Sequence, residues 1–353
     1  MQAALRDVAH EKSRVRRSAL DDLARFRDGA ERSAAMRACV QVLGKDPDPD
    51  LRARAAVCLA DLEAGEMQDA LLESTSDVHP RVRQMALLAL GEVGSAQPRV
   101  TAALRRALDE SGPALRFQAV IASGRLLPPG DLEGVVQRAL NDHDPEVRHI
   151  GIRVAEETYA VRDEHPREAW DEVIGGDLPP VVFPRKVAEA IRGRLDDDDT
   201  RVAMAAAIAL AAAGDESACD GLARLLNARV EHLDPQDECA AIRLCARLGI
   251  RSAIPGLQRR ARRLLGSGVA WDARVALARL GDSSAQKRIL RELGSWSHDR
   301  RMLAVAAAGQ ARMQMAIEPL RRLARRPGRL DVQAVEAALR LIEGVAEERA
   351  ASD

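Results

Sequence analysis

The strongest constraint on the fold is an internal repeat. In four stretches an acidic residue begins a turn that contains proline, and an arginine preceded by an aliphatic residue follows six positions after the acid. The acid and arginine of each copy are Asp46 and Arg52, Asp77 and Arg83, Glu110 and Arg116, and Asp142 and Arg148. The four arginines are separated by 31, 33 and 32 residues. A fixed period of this length indicates stacked structural repeats.

Each repeat predicts two helices. In one copy Val82, Ala86, Ala89 and Val93 recur at helical spacing, and Val100 resumes the period after a glycine- and proline-containing break. An earlier copy lies at Val15–Arg16, and weaker ones begin near Val202, Asp237, Val269, Met302 and Val332, which makes about ten units. Elsewhere the turn between the two helices begins with Gly214, Gly249 or Gly281, and glycine suits a left-handed helix C-cap.

Composition supports thin helical layers. The chain has 3 Trp, 1 Tyr and 3 Phe, and its hydrophobic residues are mainly Ala, Leu, Val and Ile. Wide cores usually need aromatic side chains, so we expect closely packed helices and no deep ring-lined cofactor pocket.

The motif D-x-x-P-x-V-R-x-x-A-x-x-A-L-G at 77–91, with its partners at 46–59 and 142–154, resembles the HEAT repeat family. The resemblance is to the short bacterial HEAT-like type found in phycobilin lyases. It implies an all-α fold, an α-solenoid (right-handed superhelix) of about ten helix pairs. It also implies a ladder between neighbouring repeats, built from Asp46–Arg52, Asp77–Arg83, Glu110–Arg116 and Asp142–Arg148.

The repeat is interrupted once. Val202 follows Arg148 by about 55 residues, so some twenty residues are extra, and they lie within 158–185. The predicted organisation is therefore N-terminal repeats at 1–157, an insert at 158–185 and C-terminal repeats at 186–353. The insert carries Tyr159, Trp170 and Phe183. These aromatics either fill a misfit between two repeat arrays or form a partner-docking loop, and a catalytic loop is a third reading.

Charge is unevenly distributed. Residues 131–200 hold 9 basic and 18 acidic side chains, whereas residues 251–353 hold 20 basic and 11 acidic ones. Two arginine clusters lie on predicted second helices: Arg259, Arg260, Arg262 and Arg263, and then Arg321, Arg322, Arg325 and Arg326. In HEAT proteins second helices usually line the concave face. The clusters are either an ordinary solvated face of an arginine-rich protein, or a surface for an acidic protein or for nucleic acid.

These features predict a non-enzymatic scaffold that binds a protein partner with an acidic surface along its concave face, through the insert and the C-terminal arginines. One alternative is a DNA-binding module resembling the alkylpurine glycosylases. Its aromatic and acidic residues would be Trp271 with Asp272, or Trp296 with Asp299. The other is a tetrapyrrole lyase or chaperone, for which the sequence offers no identifiable chromophore-holding residue.

No motif for nucleotide binding, hydrolase chemistry or a metalloprotease is present, so we predict no cofactor, no metal site and no catalytic residue. The longest apolar run, 202–213, is too short to span a bilayer, which needs about 20 residues. The first thirty residues are charged throughout, and the five cysteines form no paired motif. We therefore expect no membrane association and a cytoplasmic, bacterial protein.

Overall fold

A computed structural model describes residues 1–161, 181–228, 234–262, 268–325 and 332–350, with side chains to residue 344. These residues form twenty α-helices and three short 3₁₀ helices, and the only strand-like pairing among them is one antiparallel bridge between Ala160 and Val181. The predicted all-α solenoid is confirmed, while its handedness stays a prediction.

The chain divides into two compact units. Unit 1 contains Met1–Tyr159 and Pro184–Ala190, and unit 2 contains Ala160–Phe183 and Ile191–Asp353. The predicted division into 1–157, 158–185 and 186–353 stays a prediction, and the insert lies mostly outside the described residues.

Unit 1 is a stack of helix pairs. Its helices are α1 (Gln2–Asp7), α2 (Ser13–Leu23), α3 (Gly29–Lys45), α4 (Pro49–Asp61), α5 (Gln68–Ser74), α6 (Pro80–Val93), α7 (Pro98–Ala107), α8 (Pro113–Leu126), α9 (Pro129–Leu140) and α10 (Pro145–Tyr159). The first helices of the repeats, α2, α4, α6, α8 and α10, pack on one another in that order. Each second helix, α3, α5, α7 or α9, packs against the first helix of the next repeat. Helix α11 (Arg185–Arg192) contributes residues to both units.

Local sequence explains these helices. Proline begins α4, α6 and α8, where the missing backbone N–H costs no hydrogen bond. Small residues then let the first helices approach closely. A Cβ atom on Gly91 of α6 would lie only 3.0 Å from the Cα atom of Ala122 in α8. The glycine–alanine pairing therefore sets the tight spacing that the low aromatic content predicts.

Unit 2 repeats the arrangement with α12 (Thr200–Ala212), α13 (Ala218–Asn227), α14 (Pro235–Arg247), α15 (Ile254–Ala261), α16 (Gly268–Arg279), α17 (Ser283–Leu293), α18 (His298–Gln310), α19 (Ile317–Ala324) and α20 (Val332–Ala350). The first helices α12, α14, α16, α18 and α20 again contact one another in order. Gly214, Gly249 and Gly281 have φ of 76°, 71° and 87°, which confirms the predicted left-handed turns.

The apolar run at 202–213 forms most of α12 and ends in its C-cap, Ala213. Every residue of α12 from Val202 to Ala212 is buried. No helix in the described part of the chain is both long and apolar enough to cross a membrane.

Candidate partner-binding site

The arginine ladder is present in unit 1, but each arginine pairs with the acid of the next repeat and not with the acid of its own repeat. Arg52 of α4 donates through Nε and Nη2 to Asp77 of the next repeat, both at 2.9 Å. Arg16 binds Asp46 in the same two-point way, and Arg116 binds Asp142 at 2.6 and 2.7 Å. Two parallel bonds between a guanidinium and a carboxylate are a strong, orientation-specific contact.

The partner predicted within each repeat is used differently. Arg52 reaches Asp46 of its own repeat through Nη1, which donates to the main-chain carbonyl oxygen of Asp46 at 2.9 Å and not to its carboxylate. Arg83, Arg116 and Arg148 hold the carbonyls of Asp77, Glu110 and Asp142 in the same way. The predicted pairs are therefore corrected: the spacing of six places the arginine on the carbonyl of its own turn, and the carboxylate partner comes from the next repeat.

One step of the ladder is incomplete. Glu110 replaces the usual aspartate, and Arg83 reaches it through a single bond, Nη2 to Oε2 at 3.2 Å. The Nε atom of Arg83 is buried without a hydrogen-bond partner in the described structure. The longer glutamate side chain thus fails to make the second bond, and a cavity of about 410 Å³ lies beside Arg83, Glu110 and Asp77.

Two members of each C-terminal arginine cluster lie on a second helix, α15 or α19, and Arg262 and Arg325 directly follow these helices. The members differ in role. Arg260 is 4% exposed, and its Nε donates to the buried Glu238 of α14 at 2.6 Å. Arg260 therefore cannot contact a partner, and its prediction as a binding residue is wrong because a neighbouring helix supplies a carboxylate. Arg321 is exposed but pairs with Glu318 and Glu343. Arg263 and Arg326 lie outside the described residues.

A regular arginine position emerges when the second helices are compared. In six of them a buried aliphatic residue is followed two positions later by an exposed arginine, and we call these the +2 arginines. They are Arg106, Arg138, Arg224, Arg259, Arg291 and Arg322, which follow Leu104, Val136, Leu222, Leu257, Ile289 and Leu320. Sequence reasoning singled out only Arg259 and Arg322, because the turns before these helices vary in length and hide the alignment.

The +2 arginine is neutralised by the preceding repeat where that repeat offers an acid. Arg138 pairs with Asp109, and Arg224 pairs with Asp196 at 2.6 Å. Both aspartates lie five positions after the buried aliphatic residue of the preceding second helix, Leu104 or Ile191. We call this the +5 position.

The +5 acid is lost in the later repeats. At the +5 position that faces Arg259, the residue is Asn227 and not an acid. Arg259 donates only to the main-chain carbonyls of Leu226 and Asn227. For Arg291 the +5 residue is Arg262, and for Arg322 it is Gly294. Within the described residues, no carboxylate pairs with these arginines or with the exposed Arg262, Lys287 and Arg325.

Two of the three aromatic residues predicted to contact a partner are described by the structure, and both are half-buried. Tyr159 is half-buried, and its hydroxyl donates to the carbonyl of Pro129 at 3.0 Å, which ties the end of α10 to the start of α9. Burial raises the pKa of Tyr159. Phe183 is half-buried, and Trp170 lies outside the described residues.

The two tryptophan–aspartate pairs of the glycosylase alternative are not equivalent. Trp271 packs against the core of unit 2, and Asp272 accepts a bond from Arg243 at 3.1 Å, so this pair is engaged within the fold. Trp296 is fully exposed in the turn before α18. Arg301 donates to the carbonyls of Ser295 and Trp296, as the ladder arginines do to their own turns, although the acid is replaced by serine.

The described residues contain no group of three histidines, cysteines, aspartates or glutamates placed to hold a metal ion. Cys39, Cys58 and Cys245 are buried free thiols. Burial raises the pKa of Cys245 to about 12, and it likewise raises the pKa of the less buried Cys239 to about 11. Neither thiol is therefore set up as a nucleophile at neutral pH.

Comparison with known proteins agrees with this repeat structure. The HEAT repeats model matches residues 36–124 and 68–156, which supports a HEAT-repeat family for this part of unit 1. No curated protein matches the sequence.

Two solved structures match this chain at low sequence identity. The X-ray structure of YibA from Escherichia coli is 14% identical with a TM-score of 0.53, and the match covers 80% of this chain and 92% of that one. An engineered protein is 17% identical with a TM-score of 0.49, covering 97% of this chain and 98% of that one. The YibA likeness concerns the fold alone.

Proposed function

We propose that the protein is a non-enzymatic repeat scaffold that binds an acidic protein surface through the second helices of unit 2. The observation that supports this is the set of exposed cations without a carboxylate partner in the described residues: Arg259 and Arg262, Lys287 and Arg291, and Arg322 and Arg325.

These cations share one side of their helices. The members of each pair are three or four positions apart, so they lie on the same helical face. That face is opposite the buried residues, because Arg259, Arg291 and Arg322 each come two positions after the buried Leu257, Ile289 and Leu320. The three helices belong to consecutive repeats, and the pairs therefore recur with the repeat.

Leaving like charges unneutralised has a cost. Helices of neighbouring repeats pack about 8–10 Å apart, which is within about one Debye length at physiological salt. Unpaired cations at this spacing repel one another, whereas Asp109 and Asp196 neutralise the +2 arginines Arg138 and Arg224 of earlier repeats. Carboxylates on a partner would relieve this repulsion and would steer the partner to the surface.

A protein partner fits this face better than nucleic acid. The helices α15, α17 and α19, which carry these cations together with their C-caps, contain no aromatic residue on which unpaired bases would stack. The HEAT repeats of unit 1 support a role in protein interaction at the level of the repeat class. Absence of catalysis and a cytoplasmic location remain predictions.

The test compares two triple variants with equal charge change. Arg262→Gln, Arg291→Gln and Arg322→Gln remove three unpaired cations of unit 2. The control carries Arg14→Gln, Arg17→Gln and Arg105→Gln, which remove three exposed cations of unit 1 that have no ion pair in the described residues. Partners captured from the host are identified, purified and measured by biolayer interferometry at low and high salt.

We expect an acidic protein whose affinity falls by about tenfold in the unit 2 variant, since three partly exposed charge contacts contribute about 0.5 kcal/mol each. The control variant should bind like the wild type. Equal binding by both variants, or a preference for a duplex DNA competitor over the captured protein, would refute the proposal.

A further inference from the structure

Unit 1 contains a groove between the second helices α5 and α7. The cavity of about 410 Å³ beside Arg83 is lined by Ser76 and Arg106 among others, and a second cavity of about 430 Å³ is lined by the same two residues together with Leu72, Arg99 and Ala102. The two cavities share Ser76 and Arg106, so they adjoin at these residues, and we call the two together the groove.

At this groove both kinds of arginine–acid contact in unit 1 are incomplete: the +2 arginine lacks its +5 acid, and the ladder arginine makes a single bond. Arg106 is a +2 arginine, and the +5 residue of its preceding repeat is Ser76, five positions after the buried Leu71. The aspartate that neutralises Arg138 one repeat later is thus replaced by a serine, which is uncharged and shorter. Arg106 makes no ion pair or side-chain hydrogen bond with any residue that the structure describes.

The ladder fails at the same level of the stack. Arg83 lines the first cavity, and its Nε–H is buried without an acceptor because Glu110 is bonded only through Nη2. A buried N–H without a partner costs about 1–3 kcal/mol. Arg106 and Ser76 therefore border both cavities, and Arg106 lacks the carboxylate acceptor that the equivalent Arg138 has in Asp109.

We propose that this groove binds an extended acidic peptide segment of a partner protein, with one carboxylate at Arg106 beside the Ser76 hydroxyl. The carboxylate would occupy the place that aspartate fills in the neighbouring repeat. The site lies in unit 1 and does not depend on the cations of unit 2.

The lining selects a carboxylate over a phosphate. Asp77, Glu110 and Glu73 also border the two cavities. Against these acids a ligand with one negative charge meets less repulsion than a phosphate with nearly two. Leu72, Leu87 and Leu115 supply apolar walls along the groove, so the favoured segment carries an aliphatic residue near its acid.

The probe is a random peptide library displayed on phage and selected on the full chain, followed by fluorescence anisotropy with the selected peptides made synthetically. We expect Asp or Glu next to aliphatic residues. Arg106→Gln should weaken binding by about tenfold. The matched control is Arg105→Gln, which removes the same charge from the adjacent exposed residue of α7 that lines neither cavity.

Two further variants separate binding from folding. Ser76→Asp restores the acid of the neighbouring repeat, so it should abolish peptide binding while the thermal unfolding midpoint stays equal or rises. Glu73→Gln removes an anion from the groove and should tighten binding. Equal loss in the Arg105 and Arg106 variants, selection of peptides without acids, or displacement of the peptide by inorganic phosphate but not by acetate would each overturn the proposal.

Discussion

The buried pair between Glu238 of α14 and Arg260 of α15 gives the sharpest test of the packing in unit 2. The side chains are 7% and 5% exposed, and Arg260 Nε lies 2.6 Å from Glu238 Oε1. Arg260 also donates through Nη1 to the carbonyl oxygens of Leu226 and Gly256. Arg260→Met leaves the Glu238 carboxylate buried without this cation, which should lower the free energy of unfolding by about 3–5 kcal/mol.

Removing both charges should behave differently. In the double variant Glu238→Leu with Arg260→Met, neither side chain carries an unpaired charge and the volumes are nearly kept. Replacing a buried ion pair by packed apolar residues is often neutral or stabilising. The remaining loss is the hydrogen bonding of Arg260 Nη1 to the carbonyl oxygens of Leu226 and Gly256, about 1 kcal/mol in all. We therefore expect the double variant to be within about 1 kcal/mol of the wild type.

Urea unfolding followed by tryptophan fluorescence measures these changes. All three tryptophans lie after residue 159, and Trp271 packs against the unit 2 core, so the signal reports unit 2. The control is Arg288→Met, which breaks the exposed pair with Glu292 on α17 and should cost less than about 0.5 kcal/mol. A double variant as unstable as the sum of its two single variants would refute the reasoning.

Three other outcomes are expected. Gly256→Ala should lower the free energy of unfolding of unit 2 by about 3 kcal/mol in the same urea assay, because its Cβ would lie 2.2 Å from the Leu226 carbonyl oxygen; an unchanged midpoint would contradict this contact. Arg52 lowers the pKa of Asp77, so this carboxylate stabilises unit 1 fully above its unfolded pKa of about 4 and less as the pH falls through the lowered folded value. Melting temperatures across acidic pH should therefore fall less steeply for Asp77→Asn than for the wild type, and parallel curves would exclude the linkage. Cys245 should react with Ellman's reagent at pH 8 only after unfolding, since burial raises its pKa to about 12; rapid labelling of Cys245 itself in the folded protein, located by peptide mass spectrometry, would disprove its burial.

The repeat architecture was predictable because each copy contains short-range sequence signals for its own turn and helix. An acid, a proline and an aliphatic–arginine pair specify a turn and a helix start within a few residues, and Asp77 to Arg83 contains all of them. The glycine turns at Gly214, Gly249 and Gly281 are equally local, and the structure has them as predicted.

Partners across the stack were not predictable in this way. The spacing between Asp46 and Arg52 shows that they share a turn, but not that Arg52 turns its carboxylate-binding edge to Asp77. Likewise, the cluster around Arg260 looks solvated in sequence, because nothing local shows that Glu238 lies opposite on α14. These contacts depend on the register between neighbouring helices, which a single sequence does not reveal.

Each ladder arginine is hydrogen-bonded to two repeats at once, and this affects how unit 1 unfolds. Nη1 of Arg52 holds the turn of its own repeat, while Nε and Nη2 hold the next one. Melting one turn therefore also frees the adjoining interface, and the loss spreads along the array as a long cooperative block. In unit 2 the repeats that begin at Val202 and Val269 lack this arginine, because alanine follows each valine.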